Sequence, residues 1–212
     1  KETLTKFILT VWNSYNFFTT YASIDSFDFD NDQVEFEQRS PLDKWILSRY
    51  NKLVKTVRSK MKTFNTHKAA RAVEQFVTDD FSNWYLRRSR KRLWEEEKTM
   101  DKLAAYTTIY DIFLGISTLI APFTPFITEE IYQNLRTSSM PESIHLCDYP
   151  TVETNRINDE LEYGMKQIRG LVEVGRALRS KIGINVRYPL PEAMLVCDEH
   201  VEEKIKNLLD LL

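Results

Sequence analysis

Residues Ser40–Phe64 read SPLDKWILSRYNKLVKTVRSKMKTF, and this stretch decides the fold class. Its apolar side chains Leu42, Ile46, Tyr50, Leu53, Val57, Met61 and Phe64 recur at steps of three and four. At 100° per residue they form one stripe, the pattern of an amphipathic α-helix. The start is marked too: Ser40 is a good N-cap, Pro41 suits the first turn, and Asp43 favours the positive end of the helix dipole. Lys44, Lys55, Arg58 and Lys62 fall on the opposite face, with Lys52 at its edge. One side is expected to pack while the other presents a positive ridge about 25–30 Å long at the α-helical rise. Lysines in such a row suit phosphate tracking, because each is a flexible point charge without a geometric demand.

The flanking sequence repeats the helical period. Leu4, Phe7, Ile8, Val11, Trp12, Tyr15 and Phe18 predict a first helix over Thr3–Tyr21. The segment Asp25–Glu37, with six acids and no Lys or Arg, is expected to be a loop. After Phe64, Thr66 can cap a third helix over His67–Glu97, with Ala70, Val73, Val77, Phe81 and Trp84 as its buried stripe. An apolar helix follows over Met100–Ala121 and stops at Pro122. Thr124 can cap the next, which carries Pro125 in its first turn and runs to Arg136. A loop over Thr137–Val152 leads to a helix over Asn155–Lys181. Ile184–Pro189 and Ala193–Cys197 are β-branched or apolar runs bounded by prolines and read as short strands. The expected fold is mainly α: an antiparallel helix bundle over 1–182, with a small α+β extension beginning at 183–212.

Composition narrows the function. With 212 residues, 42% hydrophobic and 28% charged, the chain has the balance of an ordinary soluble globular protein. No run of about 18 uncharged apolar residues is present, which argues against a membrane span. Cys147 and Cys197 are too far apart for a Cys-x-x-Cys zinc motif and supply no disulfide framework, so a cytoplasmic setting is expected. The five glycines, Gly115, Gly164, Gly170, Gly175 and Gly183, are not clustered as a phosphate-cradling loop requires. The sequence opens on Lys1-Glu2 and stops within the apolar-rich Ile205–Leu212, which reads as a piece of a longer polypeptide.

The net charge of −2 hides segregation. Pro41–Trp94 holds fourteen Lys or Arg against four acids, a local balance of +10, while the remainder carries fifteen against twenty-seven, or −12. A basic surface on an acidic body is the footprint of a polyanion-binding protein. Its densest part is Asn83-Trp84-Tyr85-Leu86-Arg87-Arg88-Ser89-Arg90-Lys91-Arg92-Leu93-Trp94. Five cations in six helical positions repel each other unless an anion neutralises them. Arg87, Lys91 and Trp94 share a face, with Lys98 one turn on. Arginine forks bind phosphate bidentately and an exposed indole can stack on an unpaired base. A structural account competes with this one: the cations could pair with Glu95, Glu96, Glu97 and the acidic loop. Trp84 lies on the apolar stripe and reads as core, with Arg88 as a buried arginine beside a carboxylate. Arg87, Arg90, Lys91 and Arg92 read as RNA contacts, since the nearby acids cannot neutralise the whole ridge.

At these residues the sequence resembles the class I aminoacyl-tRNA synthetases that charge large aliphatic amino acids, and residues 83–94 look like the signature of the isoleucyl-tRNA synthetase family. The valyl and leucyl relatives share the Trp-Tyr pair but usually continue with an acid where Arg87 stands. Further matches follow in order: Pro41–Arg49, Leu119–Phe126, Glu129-Glu130-Ile131-Tyr132 and Ser143–Leu146. Val186-Arg187-Tyr188-Pro189-Leu190 matches except at Tyr188, where glutamine is expected. The resemblance covers nearly the whole chain. It implies a domain that packs on the anticodon stem and loop of an isoleucine-accepting tRNA, acts as a monomer, and works beside a catalytic domain of the same polypeptide that uses ATP and magnesium. Within this stretch it implies no cofactor and no membrane. The family's His-x-Gly-His segment is absent, and Arg58-Ser59-Lys60-Met61-Lys62 is a chance echo of its Lys-Met-Ser-Lys-Ser loop. The alternatives are the same module of a valyl, leucyl or methionyl enzyme, or a helical scaffold whose ridge docks an acidic protein.

No other constellation carries chemistry. His67, His145 and His200 lack metal-ligand spacing. The neighbours Asp79-Asp80 and Glu129-Glu130 diverge by 100° on a helix and form no facing acid–base pair. Glu129 and Glu130 are expected to serve a helix dipole, and Asp79 or Asp80 to pair with an arginine of the following turns.

Overall fold

The computed structural model describes residues 7–212. The chain divides by packing into two compact units, one ending at Ile157 and the other spanning Asn158–Leu212.

The first unit is a helix bundle: α1 (Leu9–Ile24), α2 (Pro41–Lys62), α3 (Thr66–Gln75), α4 (Arg87–Trp94), α5 (Met100–Ile120) and α6 (Pro125–Leu135). The expected start of the first helix before Phe7 lies outside the described residues. α2 begins as its sequence demands, with a complete capping box: the Ser40 side chain accepts from the Asp43 N–H, and the Asp43 carboxylate accepts from the Ser40 N–H. Thr124, by contrast, makes no side-chain cap for α6; its hydroxyl donates back to the Ile120 carbonyl.

α5 is the central element. It packs against α1, α2, α3, α4 and α6, and residues on all its sides are buried. A helix apolar around its whole circumference satisfies itself only in this way. By length and composition it could cross a membrane, but 72% of its apolar window is buried within the protein, so it is a core helix. Aromatic packing organises its surroundings. Phe113 receives Tyr15 edge-on at 5.8 Å, Phe81 edge-on at 5.3 Å and Phe18 stacked at 5.8 Å.

The third helix differs from expectation. It runs from Thr66 to Trp94 as α3, then eleven residues of π-helix over Phe76–Leu86, then α4. The buried residues explain the wide turns. Phe76/Val77, Asp80/Phe81 and Trp84/Tyr85 recur every four residues, longer than the α-helical period of 3.6, and Ser89 and Leu93 continue the series. Widened i→i+5 turns keep all of these on the core side.

In the second unit, α7 (Asp159–Lys181) packs on α8 (Glu199–Ile205) and the 3-10 turn Lys206–Leu211. Asn158 caps α7 by accepting from the Leu161 N–H at 2.9 Å. Met165, Ile168, Val172, Ile205 and Leu208 form the small core. A Cβ on Gly164 would lie 2.4 Å from the Lys204 carbonyl oxygen, so only glycine permits this approach. No strand forms among the described residues, and the expected strands at Ile184–Pro189 and Ala193–Cys197 are irregular, largely exposed segments. Their β-branched composition supplies propensity, but a ladder needs a partner strand to accept its backbone bonds, and none is beside them.

Candidate nucleic-acid interface

Two helices carry the basic character, and the structure sorts their cations into those committed inward and those open to solvent. On α4, Arg87, Arg90 and Lys91 are exposed, and Trp94 is 57% exposed at the helix end. None of these three cations forms an ion pair among the described residues. The Arg90 guanidinium lies over the Phe17 ring, 5.7 Å from its centre, a cation–π contact that orients it without neutralising it.

Arg92, expected on the RNA-facing side, points the other way. Its Nη1 and Nη2 donate to the two Asp43 carboxylate oxygens at 3.0 and 2.8 Å, and its Nε donates to Asp101 at 2.6 Å. Asp43 is fully buried and also accepts from the Tyr85 hydroxyl at 2.6 Å. Burial works against the Arg92 charge, but the bonds and field of Asp43 outweigh it and hold the guanidinium pKa above its ordinary value. Burial first, and then the Asp43 charge, push Tyr85 well up, so Tyr85 remains a neutral donor. The spacing contained the signal: Tyr85, Ser89 and Arg92 stand at i, i+4 and i+7, on the core side of the same helix.

Trp84 is buried, as its place on the apolar stripe implied, and Arg88 lies over its ring at 4.6 Å. Lys98 does not extend the α4 face, because the helix ends at Trp94; its ammonium donates to the Ser26 carbonyl at 3.1 Å. Asp80 pairs with Arg49 of α2 at 3.0 Å, across the bundle.

The α2 ridge is shorter than its helical wheel suggested. The first two-thirds of α2 is buried on most sides by the surrounding helices. Lys44 donates to the Glu37 carbonyl at 2.7 Å, and Arg58 donates to the Pro150 and Tyr149 carbonyls at 2.8 and 3.3 Å. Lys52 is half-buried, whereas Lys55 and Lys62 are exposed and form no ion pair among the described residues. The open positive surface of this helix is therefore its C-terminal half.

Two buried cations escaped the sequence reading. Lys102, only 1% exposed, pairs with Asp25 at 2.6 Å. Arg39 bonds Asp111 at 2.6 Å and the Val34 carbonyl at 2.9 Å. Burial raises the Asp111 pKa, opposed by the field of Arg39. With Lys98–Asp32 at 3.9 Å, two of the six loop acids, Asp25 and Asp32, are held by Lys102 and Lys98, and none of the six forms an ion pair with Arg87, Arg90 or Lys91 among the described residues. Glu129 does not serve a helix end as expected. It accepts from Gln133, the Ser143 hydroxyl and the Ile144 N–H, fastening the following loop, and the Gln133 bond leads in holding its pKa below the usual carboxylate value.

No group of three or more His, Cys, Asp or Glu that could hold a metal occurs among the described residues.

Comparison with known proteins identifies the family. The chain is 43% identical over 209 residues to isoleucine–tRNA ligase of Pyrococcus furiosus, which covers 98% of this chain and 20% of that protein. It is 44% identical over 199 residues to isoleucine–tRNA ligase of Clostridium tetani, covering 92% and 19%. The same ligase of Thermus thermophilus is 37% identical over 207 residues, covering 96% and 20%. The chain thus spans about a fifth of the length of these relatives. Residues 43–194, from the buried Asp43 through α4 and the bundle into the second unit, match the family described as the anticodon-binding domain of tRNA ligase, and the chain belongs to that family.

Proposed function

We propose that this chain grips the anticodon stem and loop of an isoleucine-accepting tRNA as part of an isoleucine–tRNA ligase. The observation that carries the reading is α4, which presents Arg87, Arg90 and Lys91 unpaired beside an exposed Trp94 on an otherwise acidic body. Arginine forks and a lysine match backbone phosphates, and the indole offers a face to an unpaired loop base. Lys55 and Lys62 of α2 extend the phosphate track. Lys44, Arg58, Arg92 and Lys98 leave the contact set, because each is spent on an internal partner. The division of labour follows: this chain positions the tRNA, while a catalytic domain of the same polypeptide joins isoleucine to it using ATP and magnesium. The working form is a cytoplasmic monomer, with 1–182 as the binding domain and 183–212 as the start of the next.

Titrating the protein with isoleucine, valine and leucine tRNAs across a salt series tests this. Affinity is expected to fall steeply with salt and to favour the isoleucine tRNA. The Arg90→Ala, Lys91→Ala double variant should lower the slope of log affinity against log salt by about two without lowering Tm. Equal binding of all three tRNAs would move the assignment to a relative with another amino acid. Absence of RNA binding at low salt would sink it.

A further inference from the structure

The turn between α2 and α3 is built around one unusual residue. Phe64 has φ of +56°, in the left-handed region where bulky side chains are rare. The Phe64 N–H donates to the Met61 carbonyl at 3.1 Å and the Asn65 N–H to the Lys60 carbonyl at 2.9 Å. This is the Schellman arrangement that ends many helices, and the position Phe64 occupies is the one normally given to glycine. The sequence therefore places a phenyl ring where the backbone disfavours any side chain. None of the described residues covers the ring: Phe64 is 91% exposed.

The sequence on either side of it carries cations and no acid. Between Lys44 and Val73 the chain has nine Lys or Arg and no acid, and Lys62, His67, Lys68 and Arg71 are exposed around the turn. A solitary apolar ring amid lysines is a poor protein plug, since lysine is depleted from protein–protein contacts. It fits a nucleic acid, where an aromatic face stacks on a base and flanking cations take the phosphates.

We propose that Phe64 is a base-stacking contact for an unpaired nucleotide of the bound RNA, with Lys62 and Lys68 holding the adjacent phosphates. This rests on the RNA-binding reading above but concerns a different place. The Arg92–Asp43 bonds fix α4 at the start of α2, and Phe64 follows twenty-one residues after Asp43, roughly 30 Å along the helix. Trp94 and Phe64 therefore meet separate parts of one RNA, with Lys55 and Lys62 between them.

The test compares Phe64→Ala and Phe64→Trp with the unsubstituted protein, using an isoleucine-accepting tRNA transcript and a fully paired RNA duplex as probes. Phe64→Ala should weaken tRNA binding about 5- to 100-fold, leave the salt slope unchanged, and not lower Tm. Phe64→Trp should restore affinity, and the duplex should bind all three forms alike. Lys68→Ala should instead reduce the salt slope by about one. If Phe64→Ala binds tRNA as tightly as the unsubstituted protein while the Arg90→Ala, Lys91→Ala variant does not, the Phe64 contact is refuted and the α4 reading stands. A fall in Tm on Phe64→Ala would assign the ring to packing against protein, and would refute it too. No tRNA binding by the unsubstituted protein would remove both.

Discussion

Replacing Arg92 with alanine should unfold this protein earlier and leave the proposed RNA binding intact. Arg92 is 13% exposed and faces Asp43, whose carboxylate is fully buried. Truncating one partner of a buried ion pair leaves the other charge uncompensated, which costs about 3–5 kcal/mol. Asp43 would keep three donors: the Tyr85 hydroxyl at 2.6 Å, the Ser40 hydroxyl at 2.7 Å and the Ser40 N–H at 3.2 Å. These place the cost near the lower end, about 3 kcal/mol, with Asp101 at the rim adding little because it is half-exposed. For a unit of this size each kcal/mol moves Tm by about 2–4 °C, so a drop of roughly 6–12 °C is expected. Thermal unfolding followed by far-UV circular dichroism at neutral pH measures it. Combining Arg92→Met with Asp43→Asn should recover part of the loss, since removing both charges costs less than stranding one. Binding of tRNA, measured well below Tm, should be unchanged within twofold. An unchanged Tm together with weaker binding and a salt slope reduced by about one would show that Arg92 meets phosphate, and would refute the reasoning.

Two further outcomes follow from buried and half-buried contacts. Trp84→Ala should cost on the order of 3–5 kcal/mol, read as a lower urea midpoint, because it empties a core site beneath Arg88. A midpoint unchanged within error would place Trp84 outside the core. Glu129→Gln should flatten the acid limb of the stability curve. The folded pKa of Glu129 is lowered, so its contribution is present above the ordinary glutamate value of 4.5 and is lost as pH falls through the lower folded value. An acid limb identical in Glu129→Gln would show that the Ser143 and Ile144 bonds do not bias its ionisation.

The comparison of sequence with structure divides along one line. Local periodicity is a property of the chain, and it survived folding. The Ser40/Asp43 capping box, the stripe from Leu42 to Val57, and the apolar circumference of α5 each specify a helix whatever surrounds it. The exposed Arg87, Arg90 and Lys91 were legible too, because five cations within six positions cannot all be buried. The segments 184–189 and 193–197 show the limit of the method, since a strand exists only with a partner and no run of residues announces one.

The basic residues themselves belong to the other side of that line. A helical wheel states which way a side chain leaves its own helix, and says nothing of what waits there. Lys44 and Arg58 lie on the polar face of α2, yet folding brings the Glu37 and Pro150 carbonyls against them. Arg92 and Arg90 are two residues apart in one basic run, but the π-helical turns and the placement of Asp43 send one into the bundle and leave the other in solvent. The sequence by itself determined the helices and the total positive charge along Pro41–Trp94. Only the tertiary structure decided which of those charges remain free for an anion, because an ion pair is a contact between distant segments and its energy depends on their meeting.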